Sequence, residues 1–233
     1  MTRLTVLVLA TLLGPAVASA QRGGAAAPGA PGVDAVFYSV GYVEVAPASR
    51  SAATAALVRY RDACPRQDGC TRVELFEQVG RPGHFALFET WRDQASFDRR
   101  GPEATKGLAD ALESIRVSPL DQRPYKTLTV AAASAAPSND AVVVITHVDT
   151  SPGPQVPVLL TRVAEASRKE AGNLRFDVVQ HTMRANHHTV IEVWRNQAAL
   201  DAHAAAAPTK QYREELQPLT GSPLDERVFA AVR

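Results

Sequence analysis

Hydrophobic and polar residues follow two alternating periods in the second half of the chain. Residues 141–149 form a β-branched run, and residues 156–172 carry apolar side chains at helical spacing that end at a glycine. Residues 174–183 alternate like a strand, a polar turn covers 184–189, and the chain returns as a strand to Trp194. This pattern predicts a strand, a helix and then a β-hairpin.

Two helices and a last strand complete this half. Asn196 is a good N-cap for an Ala-rich helix, and Pro208 stands at a first-turn position of the next helix. Residues 226–232 (ERVFAAV) read as the closing strand. The order β-α-β-β-α-β predicts a ferredoxin-like α+β domain.

The first half of the chain repeats the second. Residues 53–98 align without a gap with residues 156–201, at an offset of 103, and one extra residue then enters the second copy. Further on, SPLDQR at 118–123 returns as SPLDER at 222–227. Gly69, Arg72, His84, Glu89, Trp91, Arg92, Gln94, Ala95 and Asp98 recur as Gly172, Arg175, His187, Glu192, Trp194, Arg195, Gln197, Ala198 and Asp201. Such ordered identities indicate a tandem duplication.

The domain boundaries follow from composition. Residues 21–33 and 131–139 are rich in Gly, Ala, Pro or Ser, which predicts a disordered tether and a linker. Copy 1 therefore covers residues 34–130 and copy 2 covers residues 140–233. Residues 1–20 combine a basic residue, a short apolar run and a small-residue ending, which predicts a signal peptide cleaved after Ala20 and export to the periplasm or medium. An uncleaved membrane anchor is the alternative.

Charge excludes one class of partner. The net charge is +1, and removal of Arg3 with the signal peptide leaves 24 basic and 24 acidic residues. Because no basic excess faces a phosphate backbone, we expect no nucleic-acid partner. After signal cleavage we expect no membrane partner either.

The two cysteines, Cys64 and Cys70, bracket a short segment with Pro65 and Gly69 that can turn back on itself. In an exported protein this spacing favours a disulfide. A metal site is the weaker interpretation, because two thiolates are too few ligands and no histidine lies nearby in sequence.

Copy 2 resembles the antibiotic biosynthesis monooxygenase (ABM) family. The resemblance rests on the stretch IEVWRNQAALDAHAAAAPTKQY, residues 191–212, where a Glu-x-Trp strand precedes a helix with LDAH and a second helix with PTKQY. It implies two tandem ferredoxin-like domains that pair sheet to sheet into an intramolecular α+β barrel, a pseudo-dimer within one chain. Pairing of each copy with another molecule is the alternative, and further self-association stays open.

The same resemblance implies that His203 is catalytic, because the family has a recurring histidine at this position. A neutral imidazole there accepts a proton from a phenolic or anthrone substrate. Copy 1 has Arg100 instead, which stays protonated and binds or stabilises an anion. A surface or capping histidine is the alternative for His203.

Five further residues of copy 2 are candidate substrate-binding residues: Trp194, Tyr212, His147, His181 and Glu192. We expect His147 and His181 to line a cavity between sheet and helices, or to be hydrogen-bonded strand histidines. Both tryptophans are expected to pack in the core. Glu89 and Glu192 are expected to face water or to pair with Arg72 and Arg175, and His84 and His187 are expected at exposed hairpin tips.

Two functions remain from these expectations. The first is an exported, cofactor-independent monooxygenase that acts on a quinol or anthrone-type aromatic molecule with dioxygen. The second is a non-catalytic module that binds a small molecule or a partner. Metal-ligand spacings, nucleotide loops and nucleophile elbows were not found, so we expect no metal and no cofactor. Haem degradation is disfavoured, because the first strand of copy 2 lacks the asparagine of haem-degrading relatives.

Overall fold

The computed structural model describes residues 35–100, 102–132 and 138–233. The predicted signal peptide and tether lie outside the described residues, as does most of the predicted linker. No helix in the described parts of the chain is long and apolar enough to cross a membrane.

Each copy forms the predicted order of elements. Copy 1 consists of β1 (Phe37–Glu44), α1 (Arg50–Ala63), β2 (Cys70–Gln78), β3 (His84–Trp91), α2 (Gln94–Asp98), α3 (Pro102–Glu113) and β4 (Asp121–Thr129). Copy 2 consists of β5 (Val142–Asp149), α4 (Gln155–Ser167), β6 (Asn173–His181), β7 (His187–Trp194), α5 (Gln197–Ala205), α6 (Ala207–Leu216) and β8 (Asp225–Ala231).

The eight strands close into one antiparallel barrel in the order β1-β3-β2-β8-β5-β7-β6-β4. Each copy contributes four consecutive strands. The two copies join where β2 pairs with β8 and where β4 pairs with β6. Closure removes the free strand edges that a single sheet would expose. The predicted pseudo-dimer within one chain is thereby confirmed.

Three apolar clusters divide the core. One fills the barrel interior and draws on both copies, including Tyr42, Phe88, Tyr125 and Ile145. The other two lie outside the barrel, one beneath the helices of each copy. Trp194 belongs to the outer cluster of copy 2, and Trp91 is completely buried at the same place in copy 1.

The tryptophan strands, β3 ending at Trp91 and β7 ending at Trp194, are each followed by a helix that begins at an N-cap. The Asp93 side chain accepts a hydrogen bond of 2.5 Å from the Ser96 amide, and the Asn196 side chain accepts one of 3.0 Å from the Ala199 amide. These bonds satisfy amide groups that a helix start leaves unpaired. They hold α2 and α5 against the sheet, and so place Arg100 and His203.

The cysteines form the disulfide that the sequence favours. It joins Cys64, just after α1, to Cys70 at the start of β2. Gly69 has a φ of 80°, a conformation that other residues adopt rarely, and allows the tight return into β2.

Candidate functional site

Two equivalent cavities lie between the barrel and the helices, one in each copy. The strand register identifies equivalent positions. Gly41 of β1 lies opposite Leu87 and Gln122, and Thr146 of β5 lies opposite Val190 and Glu226. The cavities can therefore be compared residue by residue.

The copy-1 cavity has a volume of about 210 Å³ and is partly open to solvent. A cavity of roughly 150 Å³ is enough for benzene. The lining is mainly apolar with a few polar groups, the usual character of a small-molecule site. It is formed by Gly41, Tyr42, Val43, Tyr60, Leu87, Glu89, Arg100, Thr105, Leu108, Ala109, Leu120, Asp121 and Gln122.

Glu89 is the buried acid of this cavity, with 1% of its surface exposed. Its Oε2 accepts hydrogen bonds from the Tyr60 hydroxyl at 3.0 Å and the Trp91 indole at 3.1 Å. Its Oε1 accepts one from the Gln122 amide at 3.1 Å. Burial raises the pKa of Glu89, although Arg100 and the three donors act in the opposite direction. The carboxyl group is thus a stronger base than a solvated glutamate.

Arg100 is the cation of the cavity. Its guanidinium lies 3.6 Å from the centre of the Phe97 ring, and Nη2 donates a hydrogen bond of 2.8 Å to Gln122 Oε1. Nε is buried and, among the described residues, donates to no acceptor. Gln122 therefore bridges the acid and the cation.

The copy-2 cavity has a volume of only about 20 Å³. That is room for one water molecule, which needs roughly 10–15 Å³. Larger side chains occupy the space: Thr146, Tyr212 and Arg213 stand where copy 1 has Gly41, Leu108 and Ala109. The other lining residues are Val163, Phe176, Val190, Glu192, His203, Thr209, Leu224 and Glu226.

His203 is buried in this cavity and points toward Glu192. Its ring stacks on Trp194 with centroids 4.4 Å apart, and Nε2 lies 3.5 Å from Glu192 Oε2. Nδ1 lies 3.0 Å from Glu170 Oε2, which assigns the ring proton to Nδ1. Burial lowers the pKa of His203, so the imidazole is neutral near pH 7.

Glu192 faces His203 from β7. Trp194 donates an indole hydrogen bond of 2.9 Å to Glu192 Oε2. Burial raises the pKa of Glu192 to about 7. The pair can exchange a proton with one water molecule, but an aromatic molecule does not fit beside it.

Besides Glu192, two predicted substrate-binding residues lie at this cavity in different roles. Tyr212 lines it and fills part of it. Trp194 is completely buried behind His203 as a core residue. The prediction that the tryptophans pack in the core is confirmed, whereas the expectation that Glu89 and Glu192 face water is wrong. Both are buried because the helices cover that face of their strands.

Placement of His147 and His181 in the cavity with Tyr212 is also wrong. Alternation along β5 turns His147 into the barrel with Ile145, while Thr146 faces the helices. His147 is a satisfied strand histidine: Tyr42 bonds its Nε2 at 2.7 Å and Thr189 bonds its Nδ1 at 2.9 Å. His181 is partly exposed at the barrel end, where its ring contacts Tyr125.

The exposed position expected for His187 is a further error, since only 1% of its surface is accessible. Its Nε2 lies 3.0 Å from the Tyr125 hydroxyl, and its Nδ1 lies 2.6 Å from Asp149 Oδ1. Thr189 donates to the same tyrosine at 2.8 Å. These residues form a hydrogen-bonded chain inside the barrel that links the two copies.

Arg72 and Arg175 do not pair with the glutamates of the tryptophan strands. Arg72 binds Glu74 at 2.7 Å, and Arg175 binds Glu74 at 2.6 Å and Asp177 at 2.5 Å. Arg175 and Glu74 belong to different copies and are both buried. The Arg175–Glu74 ion pair therefore links the two copies across the barrel, because β6 and β2 are not neighbours in the strand order.

Sequence reasoning missed the copy-1 cavity. Glu89 was expected to face water or to pair with Arg72, and Arg100 was expected to bind or stabilise an anion. Tyr60, Gln122 and Gly41 were not recognised. Gln122 lies in the repeated SPLDQR motif, which was noted only as evidence of duplication. In the sequence, the differences at Gly41, Leu108 and Ala109 are not distinguished from the many other differences between the copies.

The described residues contain no group of three or more His, Cys, Asp or Glu that could hold a metal ion. The fold and the paired cavities define a class of protein: a two-repeat α+β barrel with a cavity under the helices of each repeat.

Comparison with known proteins gives the family. The antibiotic biosynthesis monooxygenase model matches residues 36–100 and 141–215, once in each copy. The chain belongs to this family. A sequence comparison with curated proteins found no match.

Solved structures share the two-repeat fold. A proposed monooxygenase from Fusobacterium nucleatum superposes with a TM-score of 0.77 at 14% identity, covering 86% of this chain and 94% of that chain. A proposed monooxygenase from Lactobacillus acidophilus has a TM-score of 0.70 at 14% identity, covering 85% and 94%. An anthrone oxidase-like protein has a TM-score of 0.69 at 13% identity, covering 86% and 92%. At these identities the likeness concerns the fold alone.

Proposed function

We propose that the protein oxygenates a small phenolic or anthrone-type aromatic molecule with dioxygen, and that the reaction takes place in the copy-1 cavity. The observation that carries this proposal is a mainly apolar cavity of about 210 Å³ that contains a buried carboxyl group. Family membership and the anthrone oxidase-like fold neighbour support the reaction type.

Glu89 is the proposed proton acceptor. Its Oε1 accepts only the Gln122 amide among the described residues and keeps a lone pair for a substrate proton. The raised pKa moves the carboxyl group toward the range in which it can remove a proton from a phenol or an activated C–H group.

The reaction balances without another reductant. Loss of a proton to Glu89 gives a phenolate or enolate, whose carbon forms a bond to dioxygen and reduces it to the peroxide level. Glu89 returns the proton to give a hydroperoxide. Loss of water then breaks the O–O bond and the remaining C–H bond and leaves a carbonyl group. Anthrone plus dioxygen gives anthraquinone plus water, and 1-naphthol gives 1,4-naphthoquinone plus water.

The apolar lining of the cavity positions the substrate ring and excludes water from the carboxyl group. Apolar side chains from strands and helix, such as Leu87, Leu108 and Leu120, hold the ring beside the carboxyl group. Such positioning converts an encounter in solution into a step within one complex.

Oxygen uptake tests the proposal directly. Purified protein is offered anthrone and 1-naphthol, and Glu89→Gln is compared with the matched copy-2 variant Glu192→Gln. We expect uptake by the wild-type protein and by Glu192→Gln, and loss of at least 90% in Glu89→Gln. No uptake by folded wild-type protein with either compound would contradict the proposed reaction.

A binding module is the second candidate. It is favoured by Glu89 itself, which already accepts three hydrogen bonds and could serve as a fixed acceptor for a ligand. Binding of 1-naphthol without oxygen uptake would select this function.

We also propose that the protein is exported after cleavage behind Ala20. This rests on the composition of residues 1–20. N-terminal sequencing of the protein from its native host should start at Gln21; an intact Met1 would contradict cleavage.

A further inference from the structure

We propose that the copy-1 cavity binds its aromatic ligand as an oxyanion, with the charged oxygen on Arg100. This inference rests on the proposed function and names the charge of the substrate at the same site. It concerns Arg100 as a residue that touches the ligand, in a position where copy 2 has a histidine.

The first observation is an unused donor. Arg100 lines the cavity, and its Nε–H is buried without an acceptor among the described residues. Buried donors in folded proteins nearly always have a partner. A ligand oxygen in the cavity would supply this partner.

The second observation is the fixed position of the guanidinium. Stacking on Phe97 holds one face, and Gln122 holds Nη2 at 2.8 Å. Little side-chain freedom remains to be lost on binding, which favours affinity. An arginine is also a permanent cation with a planar arrangement of donors that suits an oxyanion.

The third observation is the charge balance of the cavity. Glu89 and Arg100 form no ion pair within 4 Å in the described part of the chain, and Gln122 lies between them. When the substrate gives its proton to Glu89, the carboxyl group becomes neutral and the negative charge moves to the substrate oxygen. Arg100 is then the counter-charge of the reacting anion, which is the state that catalysis must stabilise.

Copy 2 contrasts with this arrangement. His203 is neutral near pH 7 and lies next to the acid Glu192, without a bridging amide. Arg213 is the permanent cation of this cavity, but it donates a hydrogen bond of 2.9 Å to Glu226, and the volume of about 20 Å³ does not admit an aromatic anion. The inference therefore applies to copy 1 alone.

Equilibrium binding of two isosteric probes tests the inference. The probes are 2-naphthoate, an anion, and 2-naphthamide, its neutral counterpart. We expect the wild-type protein to bind 2-naphthoate at least tenfold more tightly. Arg100→Gln should remove this preference and change the affinity for 2-naphthamide by less than threefold. Equal binding of the two probes by the wild-type protein would overturn the inference.

Two variants keep the test specific. Arg99→Gln removes the same charge one residue away, where the side chain is 62% exposed, and should leave both affinities unchanged. Glu89→Gln imitates the protonated acid and should tighten 2-naphthoate binding by removing repulsion. If Arg99→Gln and Arg100→Gln weaken 2-naphthoate equally, the effect is long-range charge and the inference fails. If the wild-type protein binds neither probe, the proposed cavity itself is wrong.

Discussion

The cavities of the two copies are formed by equivalent strands and helices but differ in volume. Each lies between a tryptophan strand and the following helices, and each contains a buried glutamate from that strand. Copy 1 keeps about 210 Å³ free, and copy 2 about 20 Å³. Duplication preserved the fold of both copies while a few side chains decided which one can hold a ligand.

The polar groups differ as much as the volumes. Copy 1 combines Glu89 with a permanent cation, whereas copy 2 combines Glu192 with a neutral imidazole. The histidine that matches the family motif therefore lies in the filled cavity. A motif residue can thus be present in a copy that has no space for a substrate.

The largest effect is expected from filling the copy-1 cavity. A Cβ atom on Gly41 would meet Asp121 O and Leu87 Cβ at 3.9 Å, an ordinary contact distance, so a side chain fits the backbone and enters the cavity. Gly41→Thr reproduces copy 2 at this position and should weaken 1-naphthol binding at least tenfold. Isothermal titration calorimetry measures the affinity, and thermal unfolding verifies the fold.

Thr146→Gly is the matched control for that variant, because it changes the equivalent position of copy 2. It should leave 1-naphthol affinity unchanged. Full binding by Gly41→Thr would show that the ligand lies elsewhere.

Opening copy 2 sharpens the comparison from the other side. The combined variant Thr146→Gly, Tyr212→Leu and Arg213→Ala gives this cavity the smaller copy-1 residues at three positions. We expect the stoichiometry of 1-naphthol to rise from one to two per chain, with a lower melting temperature because buried packing is lost. A folded variant that still binds one molecule would mean that side-chain volume alone does not explain the difference.

The acid of copy 2 predicts a pH-dependent effect on stability. Burial raises the pKa of Glu192 from 4.5 to about 7, so the folded protein holds this proton more tightly than the unfolded chain does. The resulting stabilisation is complete below pH 4.5 and is lost as the pH rises through 7. Between pH 5 and pH 8, ionisation of Glu192 should lower the free energy of unfolding by roughly 2–3 kcal/mol, at 1.36 kcal/mol per pKa unit.

Glu192→Gln should abolish that loss, because an amide does not ionise. Urea unfolding at pH 5 and pH 8 measures the difference between the variant and the wild-type protein. His203 has its pKa lowered and acts in the opposite direction as the pH falls below 6.5, but it is present in both proteins. Parallel pH profiles of the two proteins would refute the burial effect.

The smallest effect is expected from His203→Gln. Because the cavity beside His203 admits only a water-sized molecule, oxygen uptake should stay within twofold of the wild-type rate. Loss of more than 90% of the activity in a folded variant would indicate that His203 of copy 2, and not Glu89, is the catalytic base.

Much of the fold could be predicted from local patterns. Alternation and helical spacing gave every strand and helix of copy 2, and the duplication transferred them to copy 1. Asn196 caps α5 as expected, because capping depends on residues three positions apart. The proline at the start of α6 is equally local.

The orientation of the strand residues was harder to predict. All eight residues of β7 are buried, because one face packs in the barrel and the other packs under helices. A strand covered on both sides has no polar face that could reveal its orientation. Consequently His187 and Glu192 were both expected at the surface. For His147 on β5, the expected hydrogen-bonded strand histidine is confirmed, whereas its alternative place in the cavity is wrong.

The sequence by itself determined that the protein is a duplicated α+β chain, because periodicity and repetition can be read along the chain, and the family resemblance implied that the two copies pair into one barrel. Only the tertiary structure decided which copy has room for a ligand. That room depends on Gly41, Leu108 and Ala109, which lie on a strand and a helix far apart in the chain. Their small side chains leave free volume only because the fold brings them to one cavity. Elsewhere in a close-packed interior, little free space remains.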